Sequence, residues 1–383
     1  MAGDQWNAAI QRMLVRMEDT TKRVGTRFPH WANTDTGEWV TTEDGDWTGG
    51  YWVGMNWIAH RVTGEGKFES RAAGACEQLR PRIHADTVFR SFPLYYGAAI
   101  GAILGNRPAP RAMALECAHA MVKAFDPTLK LIALGGQAEE GSHIGTGETS
   151  IDSMQSATLL YWASKIENDA AMRNVAFHHA DRILSLHLRA DDSFIQSTSL
   201  DPRSGAVVRH YTHKGFSDTS TWGRAQAWGM IHAVMGFMHD PTQQRWLDAA
   251  MRGADWWMAH VPADKISYWD FDDPAIPNTE RDATATAIAT AALLKLATVA
   301  PEARRAGYRK FAEDTAAALI NTCLTPTRAG DMRTPGTLTT CCFNKRADAR
   351  PHDAASNCEF IVGDYYLMES LAMLAGAIDP HLI

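Results

Sequence analysis

The chain has 383 residues, 45% of them hydrophobic, which is enough apolar material for a large core and excludes a disordered chain. A formal charge of -7 and a pI near 6.1 exclude the basic footprint of a nucleic-acid binder. Six cysteines are too few for a disulfide scaffold, no apolar run is long enough to span a membrane, and Met1 to Trp6 is too polar for a secretory signal.

The expectation is therefore a cytoplasmic protein with no membrane or nucleic-acid partner. Taken in chain order, the apolar pattern predicts helix after helix and almost no alternating strand. Trp6 to Thr20 opens the series, followed by Tyr51 to His60, Phe68 to Leu79, Phe89 to Leu104 and Arg111 to Phe125. Asp152 to Ser164, Ala170 to Leu188, Trp222 to Met238 and Gln244 to His260 continue it. Asp282 to Ala297, Glu302 to Cys323 and Asp364 to Ala375 complete it. Helices that are apolar nearly all round alternate with amphipathic ones, so each pair supplies one inside and one outside partner. About twelve helices in six such pairs bury themselves most economically as a closed ring, an all-α (α/α)6 barrel. No Gly/Ser/Pro-rich linker divides the sequence, and residues 1–383 are read as one catalytic domain.

If the inner helices run parallel, their N-termini share one mouth, and the polar loops that enter them carry the distinctive residues. Asp86 and Asp152 stand at two of these helix starts. Each could be a plain N-cap. Two on one ring could instead face each other, and paired carboxylates keep one acid protonated near neutral pH. Asp282 and Asp364 have the same position and read as caps.

Trp47, Trp52, Trp57, Trp222, Trp228 and Trp269 belong to a stock of 13 tryptophans, most of them destined for the core. Trp47 and Trp222 lie in polar loops, where an indole face suits stacking on a sugar. Arg224, Gln226 and Arg281 lie just inside inner helices. Arg224 either pairs structurally with Asp282, Asp218 or Glu280, or binds a substrate carboxylate with its planar fork. His210, His213 and Lys214 add cationic capacity nearby. No metal, nucleotide or serine-esterase motif is present, and no metal or cofactor is expected. Cys341, Cys342, His352 and Cys358 make a poor zinc set because two of them are adjacent, so ordinary thiols are the reading.

Taken together, these stretches resemble a known family. They are Asp46-Trp47-Thr48-Gly49-Gly50-Tyr51-Trp52, the Asp86 segment, Ile151-Asp152-Ser153-Met154, and the run from Ser220 through Trp222-Gly223-Arg224-Ala225-Gln226 to Trp228. Tyr268-Trp269-Asp270-Phe271, Arg281-Asp282 and Gly363-Asp364-Tyr365-Tyr366 complete the set. In this order, over nearly the whole chain, they resemble the unsaturated glucuronyl hydrolases of glycoside hydrolase family 88.

The resemblance implies an (α/α)6 barrel without cofactor, acting on oligosaccharides that end in a 4,5-unsaturated uronic acid. Asp152 matches the general acid/base and Asp86 the assisting aspartate, while Trp47, Trp222, Arg224, Gln226 and Trp228 match pocket positions. The sequence departs from the family pattern at Ala85 and Gln196, where histidine is expected, and at Lys214, where glutamine is expected. A tryptophan expected near residues 133–136 is also absent. These departures make Gln196, His213 and Lys214 candidate substrate contacts, with Lys214 offered to an additional acidic group. The run Gly135 to Ser150, with Glu139, Glu140, His143 and Glu148, is where substrate choice is expected to differ. Two alternatives are an unsaturated rhamnogalacturonyl hydrolase with the same chemistry and a non-catalytic sugar-binding barrel. A monomer or homodimer fits either.

Overall fold

The structure is a computed structural model that describes residues 2–138, 147–346, 348–349 and 353–383. Glu139, Glu140, His143 and His352 lie outside the described residues. Six helices form the inner ring: α2 (Gly49–Thr63), a π-helical stretch (Pro93–Ala99) continuing into α4 (Ile100–Leu104), α6 (Gln155–Glu167), α8 (Gly223–His239), α10 (Ala283–Val299) and α12 (Ile361–Leu374). Each packs on the next, and α12 returns to α2, so the ring closes.

Around it stand α1 (Ala2–Val24), α3 (Gly66–Gln78), α5 (Pro108–Lys123), α7 (Ala170–His187), α9 (Gln244–His260) and α11 (Glu302–Thr322). The two layers differ for a reason visible in their residues. In α10 every residue from Ala283 to Leu296 is buried, because an inner helix has neighbours on all sides. In α9 the buried set is Trp246, Leu247, Ala249, Ala250, Gly253, Ala254 and Trp257, a helical stripe with solvent opposite. Small residues let the inner layer close. A Cβ on Gly50 would lie 2.4 Å from the Pro93 Cα, so α2 passes the π-helical stretch at a distance only glycine permits.

The (α/α)6 barrel is the fold the helical pattern predicts, with two corrections. The first is a pair of small antiparallel sheets. One has the order β2-β1-β7-β6, built from β1 (Phe28–Asn33), β2 (Trp39–Thr42), β6 (Cys341–Asn344) and β7 (Ala355–Phe360). The other has the order β3-β4-β5, from β3 (Glu148–Ser150), β4 (Ser197–Leu200) and β5 (Val207–Tyr211). At three to six residues each, these strands are too short for a period of two to stand out. The second is the segment read as one helix from Phe89 to Leu104, which is instead a 3-10 turn (Val88–Arg90) followed by the π and α stretches.

The helix caps also differ from expectation. Asp282 caps α10, accepting from the Thr284 N–H at 3.0 Å. Asp364 caps nothing: the N-cap of α12 is Phe360, and Asp364 lies buried in the first turn. Burial and the neighbouring Glu359 push its carboxyl well above the ordinary range. Asp86 lies between two 3-10 turns and Asp152 inside the 3-10 turn Ile151–Met154, and neither side chain caps a helix. All six cysteines are buried free thiols, and no metal-binding cluster occurs among the described residues.

Candidate active site

The β3-β4-β5 sheet assembles one wall of the site. In its register Ser150 faces Ser197 and Ser197 faces Tyr211, so the end of β3, the start of β4 and the end of β5 lie side by side. The residues just beyond those ends are Asp152, Gln196, and His213 with Lys214. The Ile151 N–H donates to the Gln196 carbonyl at 2.8 Å, joining the Asp152 turn to the sheet. From outside the ring, His179 of α7 accepts the Ile132 N–H at its Nδ1 (3.0 Å), so its Nε2–H donates to the Ser153 carbonyl at 2.7 Å. Burial holds His179 neutral, with its pKa lowered to about 4.

Asp152, Gln196, His213 and Lys214 line a narrow cleft with Trp47, Phe89, Phe92, Trp222, Arg224 and Trp228. Aromatic rings pave its base: Trp47 meets Phe92 edge-on at 5.7 Å, as Phe92 meets Trp228 at 5.6 Å. Trp228 in turn stacks on His232 at 5.2 Å with rings nearly parallel. Flat apolar faces beside a carboxyl and cations suit a sugar acid, whose ring stacks and whose charge pairs.

Gln196 sets the polar side. Its Oε1 accepts two backbone N–H groups, from His213 at 3.1 Å and Lys214 at 2.9 Å. Its Nε2 is therefore the atom facing His213 Nε2 at 3.2 Å, which fixes that nitrogen as an acceptor and leaves His213 Nδ1–H to donate to Ser197 Oγ at 2.7 Å. Lys214 is buried with its ammonium 4.4 Å from the Phe343 ring centre. His213 and Lys214 also line a second, more polar cleft of about 270 Å³ with Arg209, Tyr211, Asp218, Asn344 and Arg346.

Arg224 takes the structural pairing that the sequence left open. Its Nη1 meets Asp282 Oδ2 at 3.2 Å, and its guanidinium donates to the Cys342 and Phe343 carbonyls while lying 4.4 Å over Trp222. Burial pushes the Asp282 carboxyl up and Arg224 opposes that shift. Arg281 likewise pairs away from the cleft, with Asp264 at 2.9 Å.

Two candidates are placed elsewhere. Gln226 is buried outside the cleft lining, accepting from the Phe194 N–H at 2.8 Å and donating to the Gly253 carbonyl at 3.0 Å, so it braces α8 rather than a ligand. Asp86 is exposed and does not line the cleft, its Oδ2 accepting from the Gly136 N–H at 2.9 Å. Gln137 completes the grip, accepting from the Asp86 N–H and donating to its carbonyl, both at 2.8 Å. A Cβ on Gly135, whose φ is +90°, would sit 2.4 Å from the Asp86 carbonyl oxygen. The stretch lacking the family's tryptophan is thus a glycine-dependent clasp on Asp86. Phe89, Phe92 and Gln137 were not singled out from sequence. Their only signal there was position, directly after Asp86 or in the following glycine run.

No family model matches the chain. The chain is 29% identical over 386 residues to an unsaturated glucuronyl hydrolase of Bacillus sp. (strain GL1), covering 98% of each. It is 30% identical over 259 residues to an unsaturated glucuronyl hydrolase of Formosa agariphila, covering 66% of this chain and 63% of that one. The crystal structure of the enzyme from Bacillus sp. GL1, responsible for the degradation of glycosaminoglycan, superimposes with a TM-score of 0.88 over 96% of both chains at 28% identity. With a shared barrel and related sequence over its full length, the chain is similar to the unsaturated glucuronyl hydrolases and is a glycoside hydrolase.

Proposed function

We propose that this enzyme releases the 4,5-unsaturated uronic acid from the non-reducing end of lyase-generated oligosaccharides by hydrating the C4=C5 bond. The observation that carries the reading is a carboxyl group, Asp152, in the wall of an aromatic cleft that also holds buried cations. Asp152 gives its proton to C4, and the positive charge that develops is shared by C5 and the ring oxygen. Water then adds at C5, returning a proton to Asp152, and the hemiketal collapses with opening of the ring and loss of the aglycone sugar. The reaction is general acid/base catalysis without displacement at the anomeric carbon.

In this reading Trp47, Trp222 and Trp228 supply the faces on which the sugar rests, and Gln196 and His213 its polar contacts. Arg224 supplies positive potential for its carboxylate, Lys214 for a further acidic group, and Asp86 assists as the second aspartate. The second cleft receives the aglycone, since it shares His213 and Lys214 with the first. Residues 1–383 act as one catalytic domain, supported by the closed ring. No described helix is long and apolar enough to cross a membrane, and six unpaired thiols fit a reducing cytoplasm.

The test follows the loss of ultraviolet absorbance as the conjugated double bond is consumed, over a panel of lyase-generated oligosaccharides. Uronyl-ended glycosaminoglycan fragments should bleach. Bleaching of rhamnogalacturonan fragments alone would overturn the substrate assignment, and no bleaching at all would leave a sugar-binding barrel.

A further inference from the structure

Directly beneath the cleft floor lies a layer of four fully buried tyrosines: Tyr51 from α2, Tyr96 from the π-helical stretch, and Tyr365 and Tyr366 from α12. Tyr51 stacks on Tyr96 with ring centres 4.4 Å apart. The floor residues rest on this layer, Trp228 against Tyr366 at 5.7 Å and Phe92 against Tyr51 at 6.1 Å. Phenylalanine would fill the same space without burying hydroxyl groups, which cost free energy unless they are bonded.

The hydroxyls form a directed chain. Tyr96 Oη donates to Gln155 Oε1 at 3.3 Å and also shares a hydrogen bond with Tyr366 Oη. A hydroxyl has one proton, so Tyr366 is the donor to Tyr96. Gln155 follows the Asp152 turn immediately, and its backbone N–H donates to the Asp152 carbonyl. Two side-chain hydrogen bonds therefore lead from the far side of the ring to Gln155, whose own backbone N–H makes the last bond, to the backbone of Asp152.

We propose that Tyr366, Tyr96 and Gln155 form a positioning network that fixes the turn carrying Asp152 relative to the aromatic floor. None of the three lines the cleft, so they act through Asp152 and not on substrate. The inference rests on Asp152 being the proton donor. A network of this kind tells on turnover, because displacing a catalytic group by about 1 Å costs on the order of a hundredfold.

The experiment compares kcat and KM of wild type, Tyr96→Phe, Gln155→Met and the double variant in the absorbance assay, with thermal unfolding recorded for each. Each single change should lower kcat about ten- to a hundredfold with KM held within about twofold. The double variant should be no worse than the poorer single one, because both break the same chain. Tyr365→Phe, in the same layer but with a hydroxyl directed to Glu369 and outside the Tyr366–Tyr96–Gln155 series, should keep wild-type kcat. Wild-type kcat in folded Tyr96→Phe, or two losses that multiply in the double variant, would overturn the network alone. An Asp152→Asn enzyme with undiminished turnover would overturn both the network and the assignment beneath it.

Discussion

Asp152 is the residue on which the functional reading turns, and its two roles separate cleanly. The Asp152 side chain caps no helix, and a purely structural role predicts little change in the nearly isosteric Asp152→Asn. The proposed chemistry predicts the reverse: turnover falls by orders of magnitude while the thermal midpoint stays near wild type, measured by the absorbance assay and a melt of one preparation. Lys214 is the residue that distinguishes this pocket. Buried between the two clefts, it should favour oligosaccharides with a further acidic group beyond the terminal uronate. Lys214→Gln is expected to raise KM for such substrates about tenfold, equivalent to ~1.4 kcal/mol, and to spare those with neutral aglycones. Unchanged activity on every charged substrate would remove that role. Arg224 differs because its charge is already balanced by Asp282. Arg224→Met leaves a buried carboxyl without its partner, and should cost ~3–5 kcal/mol in denaturant unfolding as well as activity.

At the scale of elements, the short β3-β4-β5 sheet and the clasp at residues 135–137 decide which side chains meet. The clasp has a specific weakness. Gly135→Ala forces a Cβ into the Asp86 carbonyl at a positive φ, so the loop must move and Asp86 with it. The expected outcome is a kcat/KM reduced at least tenfold with modest loss of stability. Activity equal to wild type would mean that Asp86 is not needed where the clasp holds it. The inner and outer helices were legible from the sequence because each spans enough residues for its period to show, as the α9 stripe illustrates. The strands were not, and Gln196 therefore could not be placed beside Asp152 until the pairing of Ser150 with Ser197 did so. Gln226 stands next to pocket residues in sequence, yet its side chain follows the helix surface away from the cleft.

The whole molecule stores a pH response in its interior. His179, His187 and His232 are buried and His239 is half-buried, and all four are held neutral, with pKa values lowered to about 4, 3, 3 and 3, because loss of solvent disfavours the charged ring. The unfolded chain binds these protons from about pH 6.5 downward while the folded chain refuses them, so each group removes stability as pH falls from there toward its folded value. Asp364 and Glu359, whose carboxyls are raised by burial, act with the opposite sign and gain stability over part of that range. His232 isolates one such effect, since neither ring nitrogen has a partner among the described residues. His232→Phe should unfold with a shallower loss of stability below pH 6.5, the difference from wild type growing by up to ~1.4 kcal/mol per pH unit. A constant difference between pH 7 and pH 5 would show that His232 takes up its proton in the folded state.

What the sequence by itself determined is the barrel and the identity of the loops at its mouth. Helical periodicity is a local property repeated over many residues, and the polar loops between such helices have few places to go in a closed ring. Only the tertiary structure decided which polar groups are spent on the fold. Arg224 meets Asp282 from 58 residues away and Gln226 spans to Gly253, pairings that depend on how two helices settle against each other. The same holds for Gln155 and Tyr96, 59 residues apart, whose hydrogen bond exists because the inner ring brings three helix starts together beneath the cleft. A buried polar group must find a partner, and that requirement is met across the ring, where no local pattern in the chain records it.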